Sequence, residues 1–264
     1  GGTIIMSEEK KNVLTSLEDG VLVITINRHE RRNAIDPATS AEMEDILNAA
    51  EKDPAVGAII ITGAGDRAFC SGEDLAAYDE NGTCQTIMAH GFAGMTERLS
   101  NKPIIAACNG SAVAGGLEIA LSCDLIVAAE HAKFGLSEVK IGFIASTGGL
   151  IRLPKAVPQK IANEMVLTGK YITAQRAYEV GMINYVVPAD QVMEKAMELA
   201  KTMAANAPIS MRLSKQIFHM ASQSSAEDAQ RFCNVAWDYI ELTEDAAEGP
   251  KAFLEKRKPE WKGR

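Results

Sequence analysis

Gly110–Gly149 reads GSAVAGGLEIALSCDLIVAAEHAKFGLSEVKIGFIASTGG, and its punctuation decides the fold. The apolar run Pro103–Cys108 just before it predicts a buried strand, broken at Asn109-Gly110. Gly115-Gly116 then lead into Leu117-Glu118-Ile119-Ala120-Leu121, a helix start, and Asp124–Ala129 predicts another strand. Strand, glycine turn, helix and strand in this order indicate an α/β fold. Two features carry chemistry. Glycines entering a helix leave backbone N–H groups without partners, aimed where an anion or a developing oxyanion can sit. Glu118 and Glu138 are the second feature, since two carboxylates in one shielded cleft titrate apart, one as acid and the other as base. Sequence spacing does not bring them together. The plainer reading assigns the glycines to tight helix–strand packing and both glutamates to solvent, and residue by residue it has the advantage.

The whole composition narrows the classes. With 264 residues the chain can bury a sizeable α/β core, and 47% hydrophobic against 23% charged residues is ordinary for a globular protein. A net charge of −8 argues against a nucleic-acid partner, which wants a basic surface, but leaves room for an anionic ligand at a local basic patch. Cys70, Cys84, Cys108, Cys123 and Cys233 are odd in number and form no Cys-x-x-Cys, so reduced, mostly buried thiols and a cytoplasmic location are expected. His29, His90, His131 and His219 show no ligand spacing, and no metal site is expected. No apolar run reaches membrane-spanning length and no signal peptide is visible; Gly1–Ile5 precede Met6, the expected natural start.

Outward from the central stretch, Val21–Asn27 predicts a strand. Asp36-Pro37 predicts a helix start, with Met43, Ile46, Leu47 and Ala50 on its apolar face. Val56–Thr62 predicts a second strand. Gly63-Ala-Gly65-Asp-Arg-Ala68 matches a dinucleotide fingerprint, but the turn-like Phe69–Leu75 that follows is not the long helix such a site needs. Cys84–Ser100 has helical spacing, with Ile87, Met88, Met95 and Leu99 on one face. Beyond Gly149 the pattern is mainly helical: Gln159–Leu167, Thr173–Glu179, then 190–206, 209–222, 226–242 and 244–257, with a short strand at Ile183–Val187. This suggests an α/β core over 1–195 and a helical segment over 196–264.

Gly115-Gly116-Leu117-Glu118-Ile119-Ala120, with Ser137-Glu138 twenty residues on, resembles the signature of the crotonase superfamily of enoyl-CoA hydratases and isomerases. Ala68-Phe69-Cys70-Ser71-Gly72-Glu73-Asp74-Leu75 is similar to that family's A-F-x-x-G-x-D-[LI] segment, and the likeness runs from about Val21 to Arg264. The resemblance implies a spiral of β-β-α units with C-terminal helices that trimerise, commonly into a dimer of trimers. It implies an acyl-CoA substrate, so that coenzyme A is part of the substrate and no other cofactor is needed. The backbone N–H groups of Glu73 and Gly115 would form the oxyanion hole, and Glu118 and Glu138 would act as water-activating base and proton donor. Ala34, Ala68, Cys70, Ser71, Asp74, Leu75, Ser146 and Lys256 would contact the substrate, Asp74 also reading as a structural hydrogen-bonding residue. Lys256, in an F-x-E-K-R segment, would reach the nucleotide part of CoA, with Arg31-Arg32 as a second candidate. The segment 76–94 is where such proteins fit different acyl tails, and Met88 and Phe92 are candidates for that lining or for the ordinary core.

Two departures stand out: Ala114 replaces the first of three glycines, and Ala145-Ser146-Thr147-Gly148-Gly149 replaces P-G-A-G-G. Ser146 and Thr147 read as helix caps or as a hint of a polar substrate, capping being favoured. The C-terminal tail, Leu153-Pro154 and Ala162–Gly169 resemble the superfamily's crotonobetainyl-CoA hydratase (carnitinyl-CoA dehydratase) branch. No cage for a trimethylammonium group can be read from Tyr78, Asp79 or Phe92. Short-chain trans-2-enoyl-CoA hydration is therefore the main expectation. Crotonobetainyl-CoA hydration, a thioester hydrolase or isomerase, and a non-catalytic scaffold are the alternatives. A serine hydrolase lacks its G-x-S-x-G elbow and a P-loop its Gly-Lys-Ser/Thr.

Overall fold

The computed structural model describes residues 11–78 and 84–264. The expectations for Gly1–Ile5 and Met6, and those for 79–83 with Asp79, lie outside the described residues. The chain opens with strands β1 (Val13–Glu18) and β2 (Val21–Ile26), then helix α1 (Pro37–Lys52), β3 (Ala58–Gly63) and β4 (Ala68–Cys70). Two short strands, β5 (Ile87–Met88) and β6 (Gly91–Phe92), precede β7 (Ile104–Cys108), β8 (Ser111–Val113), α2 (Gly115–Ser122), β9 (Leu125–Ala129) and β10 (Lys133–Gly135). Helices α3 (Gly149–Ala156) and α4 (Gln159–Thr168), strand β11 (Ile172–Thr173), α5 (Ala174–Glu179) and β12 (Tyr185–Val187) follow. The chain ends with α6 (Val192–Ala204), α7 (Pro208–Ala221), α8 (Ala226–Glu241) and α9 (Glu244–Leu254).

The pairs β3/β4, β7/β8 and β9/β10 each place their first strand in one sheet and their second in another. The larger sheet runs β1-β2-β3-β7-β9-β12 and the smaller β11-β10-β8-β4. That repeated hand-over matches the spiral of β-β-α units that the sequence resemblance implies. All neighbours in the larger sheet are parallel except β1 and β2. Parallel strands covered on both faces read as unbroken apolar runs, which is why Ala58–Gly63 and Ile104–Cys108 are buried at every position. Asp36 caps α1 as its sequence predicts, its Oδ1 accepting the Thr39 N–H at 2.8 Å. Met43, Leu47 and Ala50 of that helix reach the core.

Three sequence expectations need correction. β1 was not predicted; it is an edge strand with only Val13 buried, so its apolar signal is weak, although Asp19-Gly20 is a recognisable hairpin turn. Phe69 and Cys70 are strand rather than turn, belonging to β4. Cys84–Ser100 is no helix: β5 and β6 pair as a hairpin and turns follow. Gly91, Ala93 and Gly94 all take positive φ (80°, 55° and 63°), which an α-helix cannot contain. Of the expected apolar face, Met95 is buried and Leu99 stands in solvent.

The helical segment drawn at 196 does not begin where the packing changes. Val192, Ala196 and Ala200 of α6 belong to the main core, while Ile209, Leu213 and Ala236 of α7 and α8 form a small separate cluster. Among the described residues all five cysteines are free; Cys70 and Cys108 are buried and the other three are partly so. Among the described residues no helix is long and apolar enough to cross a membrane.

The site is positioned by one close approach. A Cβ on Gly116 would stand 2.0 Å from the carbonyl oxygen of Cys70, so α2 can lie against β4 only with glycine there. Ala114, just before the helix, has φ 51° and ψ −131°, a conformation that glycine takes without strain and alanine does not. We predict opposite signs for two substitutions in urea unfolding. Gly116→Ala should destabilise by about 3 kcal/mol through overpacking. Ala114→Gly should stabilise by about 1 kcal/mol, the released strain outweighing the added freedom of the unfolded chain.

Candidate active site

Two backbone segments meet at the start of α2. Ile35 donates its N–H to the Gly72 carbonyl at 2.8 Å, and Asp74 donates to the Ile35 carbonyl at 2.8 Å. In such a parallel bridge the intervening residue's own amide faces the opposite way, so the Glu73 N–H is turned away from Ile35. Gly115 opens α2, where amides have no helical partner. The Gly115 nitrogen would lie only 2.9 Å from a Cβ on Gly72, so the two segments run side by side. Phe92 closes the other side: its ring would be 2.7 Å from a Cβ on Gly115.

Above this pair opens a cleft of about 490 Å³ lined by Ser71, Glu73, Leu75, Gly115, Glu118, Glu138, Ser146 and Thr147 among others. The structure therefore brings the two glutamates into one site and denies both their solvated reading. Glu118 is 4% exposed. Its Oε1 accepts the Gly149 N–H at 2.9 Å and its Oε2 accepts the Thr147 hydroxyl. Both oxygens of Glu138 are buried and lack a hydrogen-bond partner among the described residues. Burial pushes the Glu138 carboxyl up to about 7; the Glu118 charge acts the same way, and its own backbone amide offsets part of the rise. The two acids thus differ: one is wired as an acceptor at both oxygens, the other is left bare and holds its proton toward neutral pH.

The remaining predicted contacts divide. Ser71, Leu75 and Ser146 line the cleft, whereas Ala34, Cys70 and Asp74 are buried outside its lining. Asp74 is structural: Arg28 pairs with it at 2.9 Å and with Asp36 at 2.8 Å, and its Oδ1 accepts the Ala76 N–H. Ala68 lines a smaller cleft of about 230 Å³ with Arg67 and Arg32, and Arg32 lines the larger cleft as well. Lys256 is exposed and outside both linings. Thr147 does not cap a helix, because α3 starts after Gly148 with no side-chain cap; its hydroxyl donates to the Glu118 carboxylate instead. Ser146 likewise caps nothing.

Sequence reasoning offered Phe92 and Met88 as candidates for the cleft's lining and missed the rest of that wall. Phe92 lines the cleft, but Ile87 rather than Met88 accompanies it. The Glu73 side chain, expected to contribute only its backbone, accepts the hydroxyls of Tyr78 and Thr86. Burial, followed by the Glu73 bond and charge, pushes the Tyr78 phenol up to about 12. The Tyr78 and Phe143 rings lie 6.3 Å apart, and Tyr171 completes an aromatic and acidic lining that the scattered positions did not reveal. Among the described residues no cluster suits a metal ion.

The fold and the sequence have counterparts among known proteins. The model of the enoyl-CoA hydratase/isomerase family matches residues 16–264. The chain belongs to that family and has the crotonase fold. It is 43% identical over 250 residues to the carnitinyl-CoA dehydratase of Proteus mirabilis strain HI4320, covering 92% of this chain and 95% of the relative. Enoyl-CoA hydratase EchA1 of Mycobacterium marinum superposes with a TM-score of 0.92 at 38% identity, over 97% of this chain and all of the other. Carnitinyl-CoA hydratase of Mycobacterium avium does so at 0.77 and 41%, with the same coverage.

The raised carboxyl has a measurable consequence for stability. A folded-state value near 7 against an unfolded one near 4.5 means that the folded protein holds the proton longer. Stability then falls as pH rises from about 4.5 to about 7, because the unfolded chain ionises first. Glu138→Gln should lack this component, so its stability relative to the unmodified protein should rise across that window and level off above it in denaturant titrations.

Proposed function

We propose that the cleft catalyses reversible hydration of a short-chain trans-2-enoyl-CoA to a 3-hydroxyacyl-CoA. The observation that carries this is the pairing of a doubly hydrogen-bonded Glu118 with a proton-holding Glu138 whose carboxyl oxygens are buried and have no partner among the described residues. Family membership and the hydratase and dehydratase names of the relatives support hydro-lyase chemistry in general. In this reading the thioester oxygen accepts the N–H groups of Glu73 and Gly115. Glu118 takes a proton from water as its oxygen bonds to Cβ. Negative charge then collects on the thioester oxygen, and Glu138 delivers its proton to Cα. Dehydration runs the same steps backwards with the roles exchanged. Two backbone donors aimed at that oxygen are worth about 100- to 1000-fold each in rate, and the N-terminus of α2 adds its positive end. The CoA is part of the substrate, and proton transfer between two carboxylates calls for no other cofactor.

The nucleotide arm has a candidate course past Arg32, which lines both clefts, toward Arg67. Lys256, outside both linings, would join it across a subunit boundary. Helices α7–α9 support such an assembly, for Phe218 (81%), Leu242 (87%) and Phe253 stand exposed on a segment with little core of its own. A homotrimer or dimer of trimers is the assembly we propose. Sedimentation should give three or six times the 28.3 kDa chain mass, and a monomer at micromolar concentration would end this part of the reading.

Glu73, Tyr78 and Phe143 favour a second reading, crotonobetainyl-CoA as the substrate, because a carboxylate beside aromatic rings suits a trimethylammonium group. The two readings separate in one assay. Crotonyl-CoA and crotonobetainyl-CoA are followed by loss of the conjugated thioester with mass analysis of products. A hydroxyacyl-CoA supports hydration, and free acid with CoA indicates a hydrolase. Glu118→Gln and Glu138→Gln should each lose roughly 100- to 10,000-fold in kcat while still binding the CoA ester. Glu73→Gln should lose about tenfold more kcat/KM on the cationic substrate than on crotonyl-CoA. Equal losses on both would remove the cationic reading.

A further inference from the structure

Arg152, in the first turn of α3, lies outside the lining of the cleft yet connects its two working halves. Its Nη1 fills the space beside Gly148: a Cβ there would lie 1.7 Å from that nitrogen, and φ of Gly148 is +116°. From this seat Nη1 points at the Thr147 carbonyl 3.5 Å away, while Nη2 donates to the Thr96 carbonyl. Each contact leads to a functional group. Thr147 gives its hydroxyl to Glu118 Oε2, and Gly149, on the other side of Gly148, gives its N–H to Oε1. Thr96 exchanges hydrogen bonds with Phe92, its hydroxyl accepting the Phe92 N–H at 2.9 Å and its own N–H reaching the Phe92 carbonyl at 3.2 Å. The Phe92 ring is the wall packed on Gly115.

Resting on the hydration reading above, we propose that Arg152 is a positioning residue, a fork that locks the Thr147–Gly149 turn gripping Glu118 to the Phe92 segment backing the oxyanion glycine. A planar guanidinium has two separate donors at fixed angles for this task, whereas an ammonium concentrates its charge at one point. Charge adds to geometry. Burial pulls Arg152 below its usual range and the negative charge of Glu118 opposes that pull, so the cation faces the base from behind the turn. The φ of Gly148 by itself favours glycine, and the fork occupies the room that a side chain there would need.

Arg152→Gln, Arg152→Lys and Thr147→Val test the fork through two readouts. The first is kcat and KM on crotonyl-CoA. Arg152→Gln should lose about 100-fold in kcat, the scale of an ångström's displacement of a catalytic group, with KM within about twofold. Arg152→Lys should recover less than half of that loss on a logarithmic scale, since charge returns without the fork. Thr147→Val should lose about tenfold, and the double variant with Arg152→Gln should be no worse than Arg152→Gln alone, because both act through one turn. The second readout is amide exchange at 147–149, which should accelerate at least about tenfold in Arg152→Gln. Unchanged kcat, a loss confined to KM, full multiplication of the two losses or unchanged exchange each overturns the proposal. Should Arg152→Gln fail to fold, Thr147→Val and Arg152→Lys decide it by the same criteria. If the unmodified protein hydrates no enoyl thioester, the hydration reading fails, and the exchange result still decides whether the fork exists.

Discussion

The contact between Gly116 and the Cys70 carbonyl is the constraint on which the site depends. It lets α2 begin directly against β4, with no side chain between helix and strand. Two consequences follow from that distance. The free amide at the head of α2 is set beside the Gly72-Glu73 turn, so two backbone donors converge without any side chain being asked to hold them. The first turn of α2 also carries Glu118 inward, into a space too dry for an unsupported carboxylate. The Gly149 amide and the Thr147 hydroxyl provide that support, and the strained Ala114 is part of what it takes to start the helix there.

The two acids illustrate how burial and hydrogen bonding divide labour between identical side chains. Glu118 is the more deeply buried, yet both of its oxygens are occupied by donors. Glu138 begins a short 3-10 turn, Glu138–Ile141, and no other group among the described residues donates to its oxygens, so desolvation outweighs the pull of its own backbone amide. Two identical side chains in one cleft are thus set apart by their surroundings rather than by residue type.

Much of this was legible in the chain. Unbroken apolar runs marked β3, β7 and β9, Asp36-Pro37 marked α1, and Gly115-Gly116 marked the head of α2. The resemblance to crotonase sequences then singled out Glu118 and Glu138, which the residues alone left as solvated side chains. What misled was local pattern without context. Ile87, Met88, Met95 and Leu99 have helical spacing, but three consecutive-region positive φ values at Gly91, Ala93 and Gly94 turn the segment into a hairpin and loop. Thr147 has the composition of a cap, but its hydroxyl has a deeper partner 29 residues back in the chain, and buried Glu118 needs it more than a helix end in water does.

By itself the sequence determined the long buried strands β2, β3, β7 and β9, the helices α1, α2 and α4–α9, and the glycines at the close approach, because these follow from periodicity and covalent geometry. The tertiary structure decided which acid keeps its proton, that Glu73 offers a carboxylate with Tyr78 and Phe143 beside it, and that Arg152 reaches both Thr96 and Thr147. Those outcomes depend on distances between segments far apart in the chain. Desolvation and charge are properties of the space between such segments, and no single stretch of sequence encloses it.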